Sequence, residues 1–262
     1  MKGKKALLVV SFGSTYKKPM EASIGAVEKA LQKAFPQEDL YRAFSSQMVI
    51  HRLKEKENLS IRTMEEAMQD LLAKGYEQVR CQTTHLLNGV ETARLLAVLH
   101  QYQARFQTLQ VGAPLLSTPG DMQNIVEWAI KAYPLAKDEA AVLVGHGTNH
   151  FANAAYAALD YAFRAKGQTA YQIGTVEGYP DMQATLQALQ KLAIKKVWLV
   201  PLLVVAGEHA LHDINGEKPH TWKTVLTKAG YQVKIVEKGL GEEADIQQLF
   251  VEHAKAATPL AK

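Results

Sequence analysis

Eight short β-rich runs alternate with amphipathic helical patterns along the whole chain, and this alternation limits the fold more than any other feature. The runs are Ala6–Val10, Leu40–Phe44, Gln78–Thr84, Leu109–Leu115, Ala140–Val144, Ala170–Val176, Val197–Val205 and Gln232–Glu237. Between them Met20, Ile24, Val27 and Leu31 share one helical face that ends before Pro36,. Thr63-Met-Glu-Glu66 reads as a capping box that opens a second helix, and Gly75 is placed to end it,. Phe151, Ala155, Ala158 and Tyr161 predict an inward helix face that stops near Gly167, and Ile246, Leu249, Phe250 and His253 predict the last helix. Strands alternating with helices imply parallel sheets covered on both faces.

Eight units in 262 residues fit a single eightfold barrel, but an internal repeat favours a doubled lobe,. Leu8-Val-Val-Ser-Phe-Gly-Ser14 has the pattern of Val142-Leu-Val-Gly-His-Gly-Thr148, 134 residues later. Leu71…Val79…Gly89 has the pattern of Leu189…Val197…Gly207, 118 residues later. We therefore expect an α/β chain of two similar Rossmann-like lobes, each a four-stranded parallel sheet flanked by helices. The lobes span 1–135 and 136–262, with the site in the cleft between them and its chemistry carried by the second.

Composition narrows the chemistry. One cysteine, Cys81, excludes a disulfide framework, a four-cysteine zinc site and an iron–sulfur cluster held by one chain,. Nine histidines remain as the natural transition-metal ligands. A formal charge of +4 is too mild for a nucleic-acid binder but suits a small anionic ligand,. The basic start Met1-Lys-Gly-Lys-Lys lacks a long enough apolar run behind it to act as a signal, and no stretch approaches a membrane span,. The expectation is a soluble cytoplasmic protein without membrane or nucleic-acid partners. Assembly into a homo-oligomer is compatible with the sequence.

In open α/β sheets, ligands sit beyond the carboxyl ends of the strands. In the second half those positions hold His146 in Gly-His-Gly-Thr, Glu177 in Val-Glu-Gly-Tyr and His209 in Gly-Glu-His-Ala. Two imidazoles and a carboxylate leave coordination positions open, as a site that hands a metal on requires. The repeat places Phe12 opposite His146 and Glu91 opposite His209, so the first half lacks the set. Ser11, His85, Gly89 and Gly207 are the candidate substrate-binding residues. His85 also fits a satisfied structural histidine, and Cys81 an inert core residue. Lys17, Lys18, Arg42, His51, Arg52 and Lys54 are either solvated or available to an anion. Neither a phosphate-binding glycine motif nor a Gly-x-Ser-x-Gly elbow is present,.

Leu-Leu-Val-Val-Ser-Phe-Gly-Ser near the start, Arg42-Ala-Phe-Ser-Ser, His85-Leu-Leu-Asn-Gly, Gly145-His-Gly, Val176-Glu-Gly-Tyr-Pro and Pro201-Leu-Leu-Val-Val-Ala-Gly-Glu-His-Ala resemble the anaerobic cobalt chelatases of the CbiK type. The resemblance runs in order from about residue 4 to Leu240. It implies a class II chelatase fold and ATP-independent insertion of Co2+ into sirohydrochlorin on the anaerobic route to cobalamin. Co2+ is then substrate metal, and no organic cofactor is implied. The family's His, Glu and His metal site maps onto His146, Glu177 and His209, with His146 the principal ligand and base. Two rivals remain: insertion of Fe2+ into sirohydrochlorin or protoporphyrin, and a two-lobed protein that carries metal or tetrapyrrole without turnover.

Overall fold

A computed structural model describes residues 3–260, so the first two residues of the basic start lie outside the described residues. Eight strands follow in chain order: β1 (Lys4–Ser11), β2 (Asp39–Phe44), β3 (Tyr76–Thr83), β4 (Thr108–Gly112), β5 (Glu139–Gly145), β6 (Tyr171–Thr175), β7 (Lys196–Pro201) and β8 (Gln232–Ile235). Each coincides with one apolar run of the sequence. The helices are α1 (Lys17–Ala34), α2 (Gln47–Glu57), α3 (Met64–Ala73), α4 (Val90–Tyr102), α5 (Pro119–Ala132), α6 (Ala154–Ala165), α7 (Met182–Leu189), α8 (Trp222–Lys228) and α9 (Ala244–Lys255). A ninth strand, β9 (Thr258–Pro259), was not foreseen, because two residues carry no periodicity. No helix among the described residues is long and apolar enough to cross a membrane.

The first four strands form a parallel sheet in the order β2-β1-β3-β4, to which β9 adds antiparallel beside Gln110 and Val111. The second four form a parallel sheet in the matching order β6-β5-β7-β8. The two-lobe expectation thus holds over the eightfold barrel, with the first sheet one short strand larger than expected. Ala6 to Val10 are fully buried because β1 is covered on both faces, which is why it reads as an unbroken apolar run,. Ala6, Leu8 and Val10 pack with Met64, Ala67, Met68 and Leu71 of α3 and with Leu95 and Leu99 of α4. On the other face lie α1 and α9, which pack against each other.

Compact-unit boundaries differ from the expected split at 135. One unit comprises Met1–Ser117 with Gly241–Lys262, the other Thr118–Leu240. The helix that ends each sequence half is exchanged: α5 packs on α6 in the second unit, and α9 packs on α1, β3 and β4 in the first. A linker reading based on Pro134 could not see this, since both helices carry ordinary amphipathic patterns.

Local signals explain most helix ends. Thr63 and Glu66 form the expected capping box, Thr118 and Asp121 form another, and Asp181 caps α7 through Ala184 N at 2.8 Å,. The expected face of α6 is corrected: Phe151 is 88% and Tyr161 71% exposed, whereas Tyr156, Leu159 and Phe163 are buried. With alanine at six positions of this helix, two aromatic stripes compete, and the sheet takes the one with Phe163 stacked on Tyr171.

Candidate metal-handling site

Gly145, at the end of β5, has no room for a side chain because the Tyr156 ring fills that space. The Tyr156 hydroxyl hydrogen-bonds to the backbone of Gly147 and His146, and burial pushes it up to about 12, so it stays a neutral phenol,. Gly147 then turns the chain at φ 81°, a conformation its counterpart Gly13 repeats at φ 97°,. His146 is thereby held between two glycines on a loop braced from below by one buried tyrosine. The backbone of Glu177 closes the loop, donating its N–H to His146 O at 2.7 Å.

The third strand end brings the second histidine. After β7 the chain crosses Leu202–Gly207 and enters a π-helical turn, Ala210–Ile214, with His209 at its start. His146 Nε2 and His209 Nε2 stand 3.1 Å apart, with the rings nearly perpendicular at 89°. Hydrogen-bond chemistry fixes the tautomers. His146 Nδ1 lies 2.9 Å from Gly147 O, and His209 Nδ1 lies 2.7 Å from Asp213 Oδ2. Both partners only accept, so both Nδ1 atoms donate. In neutral rings both Nε2 atoms are therefore bare lone pairs, and two acceptors at this distance need a proton or a cation with them. The ring centroids are 4.3 Å apart, and the two nitrogens face each other across one short gap. For a cation–nitrogen bond of about 2.1 Å, this spacing subtends roughly 95°, close to a neighbouring pair of ligands in an octahedron.

Of the expected triad, then, the structure assembles the two histidines. Glu177 joins them through its backbone, while its side chain is exposed. No group of three His, Cys, Asp or Glu is gathered around a metal-sized space among the described residues. Asp213 escaped the sequence reading. The signal was present, because His209 and Asp213 are four residues apart at a helical spacing, which puts them on one face,.

The expected substrate-binding residues of the first unit are turned inward. Ser11 is 1% exposed and accepts from Thr84 Oγ1 at 2.8 Å. His85 has Nδ1 2.6 Å from Thr83 Oγ1 and Nε2 3.2 Å from Ser45 Oγ, clipping the end of β3 to that of β2. Burial pushes its pKa down to about 4 against a weaker opposing pull from Glu91, so it is neutral,. Gly89 caps α4, and Gly207 is buried, its carbonyl accepting from Leu211 N at 3.1 Å. Arg42 is not available to an anion: its guanidinium lies 2.6 Å from Glu28 and 2.7 Å from Glu21. Cys81 is buried as expected, its thiol pushed up to about 12.

The first unit also shows what became of the counterpart site. Sheet register pairs Ser11 with Phe44 and Gly145 with Thr175, so Phe12, Ser46 and Glu91 occupy the places of His146, Glu177 and His209. All three line one cavity of about 620 Å³, with Phe44, Thr63 and Arg94 among its other walls. Apolar side chains mark the strand ends in each unit: Phe12, Met48 and Val90 in the first, Phe151, Tyr179 and Leu211 in the second, all more than two-fifths exposed.

Comparison with known proteins agrees with this geometry. A family model described as cobalt chelatase (CbiK) matches residues 5–259. A sirohydrochlorin cobaltochelatase of Salmonella typhimurium is 37% identical over 259 residues, covering 98% of each chain. The sirohydrochlorin cobaltochelatase CbiKC of Nitratidesulfovibrio vulgaris is 31% identical over 258 residues, 97% of this chain and 90% of that one. Among solved structures, SirB from Bacillus subtilis with Fe3+ superposes with a TM-score of 0.64 at 14% identity, covering 96% of this chain and 94% of that one. CbiX, the terminal enzyme of sirohaem biosynthesis in denitrifying bacteria, gives 0.56 at 16% identity, covering 96% and 99%. At such identities these two likenesses show the fold.

Proposed function

The chain belongs to the cobalt chelatase (CbiK) family, and on that footing we infer that it inserts Co2+ into sirohydrochlorin, releasing two protons and using no ATP. The observation that carries the reading is the pair of Nε2 atoms of His146 and His209, 3.1 Å apart, in a chain that matches cobaltochelatases over nearly its full length.

Insertion has three demands: Co2+ must lose water, two pyrrole N–H protons must leave, and the ring must bend so that its nitrogens face the metal. His146 and His209 meet the first by offering two neutral nitrogen ligands while leaving the remaining coordination positions to water and then to the pyrroles. The second falls to the same nitrogens. As the cation passes to the ring, each freed lone pair can accept a proton, so metal and protons trade places at one pair of atoms. Glu177 is assigned as third ligand and charge balance, its exposed carboxylate carried on the loop whose backbone is bonded to His146. The exposed apolar loop tips support a macrocyclic substrate. A cytoplasmic location is part of the same reading.

Anaerobic incubation with sirohydrochlorin and, separately, Co2+, Fe2+ or Ni2+, followed by absorbance, tests it. Rapid conversion with Co2+ is expected. Binding of tetrapyrrole and metal without conversion would make the protein a carrier instead, and conversion with Fe2+ alone would change the metal.

A further inference from the structure

We propose that Asp213 is a positioning residue for the metal site, holding His209 in the one tautomer and orientation that lets it share a cation with His146. The proposal rests on the assignment of His146 and His209 as the Co2+ site and goes beyond it by naming what sets their geometry. Three observations carry it. Asp213 Oδ2 lies 2.7 Å from His209 Nδ1, within the range of a charge-assisted bond,. The bond is made within the π-helical turn Ala210–Ile214, which His209 caps and to which Asp213 belongs. The two histidines are held differently: His146 donates to its neighbour's carbonyl, Gly147 O, which the glycine turn fixes, whereas His209 has only a side-chain acceptor.

The consequence follows from imidazole chemistry. Without an acceptor at Nδ1, His209 is free to carry its proton on Nε2. That tautomer places an N–H against His146 Nε2, closing the pair with a hydrogen bond and leaving no lone pair of His209 for a cation. With Asp213 in place, the proton stays on Nδ1 and Nε2 is kept bare. The carboxylate also lends electron density to the ring, strengthening the nitrogen as a donor.

The test titrates Co2+ alone into the protein, read by the visible absorption of the bound ion, and then measures the apparent KM for Co2+ and for sirohydrochlorin. Asp213→Ala is expected to weaken Co2+ binding and raise the Co2+ KM about 10- to 100-fold, leaving the sirohydrochlorin KM within about twofold. Asp213→Asn, whose amide NH2 can turn to Nδ1 and so favour the Nε2–H tautomer, is expected to lose Co2+ binding much as Asp213→Ala does. Parent-like Co2+ binding in Asp213→Ala overturns the proposal. So does a parallel rise in both KM values, which marks a general structural defect. His209→Ala, run alongside, separates the levels: if it still binds Co2+ as the parent does, the metal-site assignment itself has failed.

Discussion

Gly147 and Gly178 approach so closely that a β-carbon on Gly147 would collide with the amide nitrogen of Gly178 and the carbonyl carbon of Glu177. The two loops that carry His146 and Glu177 are thus fitted backbone to backbone, and φ 81° at Gly147 adds a second reason for glycine. Gly147→Ala should cost about 1–3 kcal/mol of stability, by strain and by forcing the loops apart. Insertion should fall by more than the stability loss explains. Urea denaturation and the Co2+ insertion assay on the same preparation check both.

The histidine pair makes a sharper demand. His146→Ala and His209→Ala should each fold with a near-parental melting temperature, since both rings are partly exposed. Each should lose Co2+ insertion by at least about 100-fold, more than the loss of an outer partner costs. The double variant should be little worse than either single, because one bare nitrogen cannot replace a pair acting as a unit. Parental rates in both single variants would remove the site.

Tyr156 supports this loop from beneath, and its hydroxyl is the removable part. Tyr156→Phe keeps the ring that fills the space over Gly145 but leaves two backbone groups, of His146 and Gly147, short of a partner. A loss of about 1–3 kcal/mol is expected. The apparent Co2+ KM should rise with little change in the sirohydrochlorin KM, which steady-state kinetics would separate.

His85 sets an acid limit on the first unit. In the unfolded chain its pKa is near 6.5, whereas in the folded protein burial pushes it down to about 4,. Above 6.5 both states hold it neutral and it contributes no pH dependence. As pH falls from 6.5 towards 4 the unfolded state takes up a proton that the folded state refuses, so stability drops, by up to about 3 kcal/mol, and the decline ends below 4. His85→Gln should remove this one-proton slope. Denaturation midpoints at pH 7, 6 and 5 that fall equally steeply in both proteins would refute the assignment.

The eight long strands were legible because buried parallel strands announce themselves as short apolar runs between helical patterns, and Ala6–Val10 is the plainest case,. That His146 follows β5 and His209 the loop after β7 was legible from the alternation of strands and helices. What could not be read was anything set by partners distant in sequence. Arg42 looks like a free cation until α1 brings Glu21 and Glu28 to it. Ser11 looks like a loop hydroxyl until Thr84 covers it. The wrong face was chosen for α6 because Phe151 and Tyr161 are as apolar as the residues that won. Asp213 was readable from its spacing to His209, but its weight appears only once that ring has a second neighbour.

The exchange of α5 and α9 has a consequence for how the molecule is made. As the chain is synthesised, residues Thr118–Leu240 form a continuous stretch that has everything its unit needs once Leu240 has emerged. The earlier residues do not: their sheet lacks the α9 cover beside α1 and keeps an unpaired β4 edge until Gly241–Lys262 arrives. The order of completion is therefore the reverse of the order of synthesis, and the nascent first unit is the state in which this protein is most exposed to aggregation.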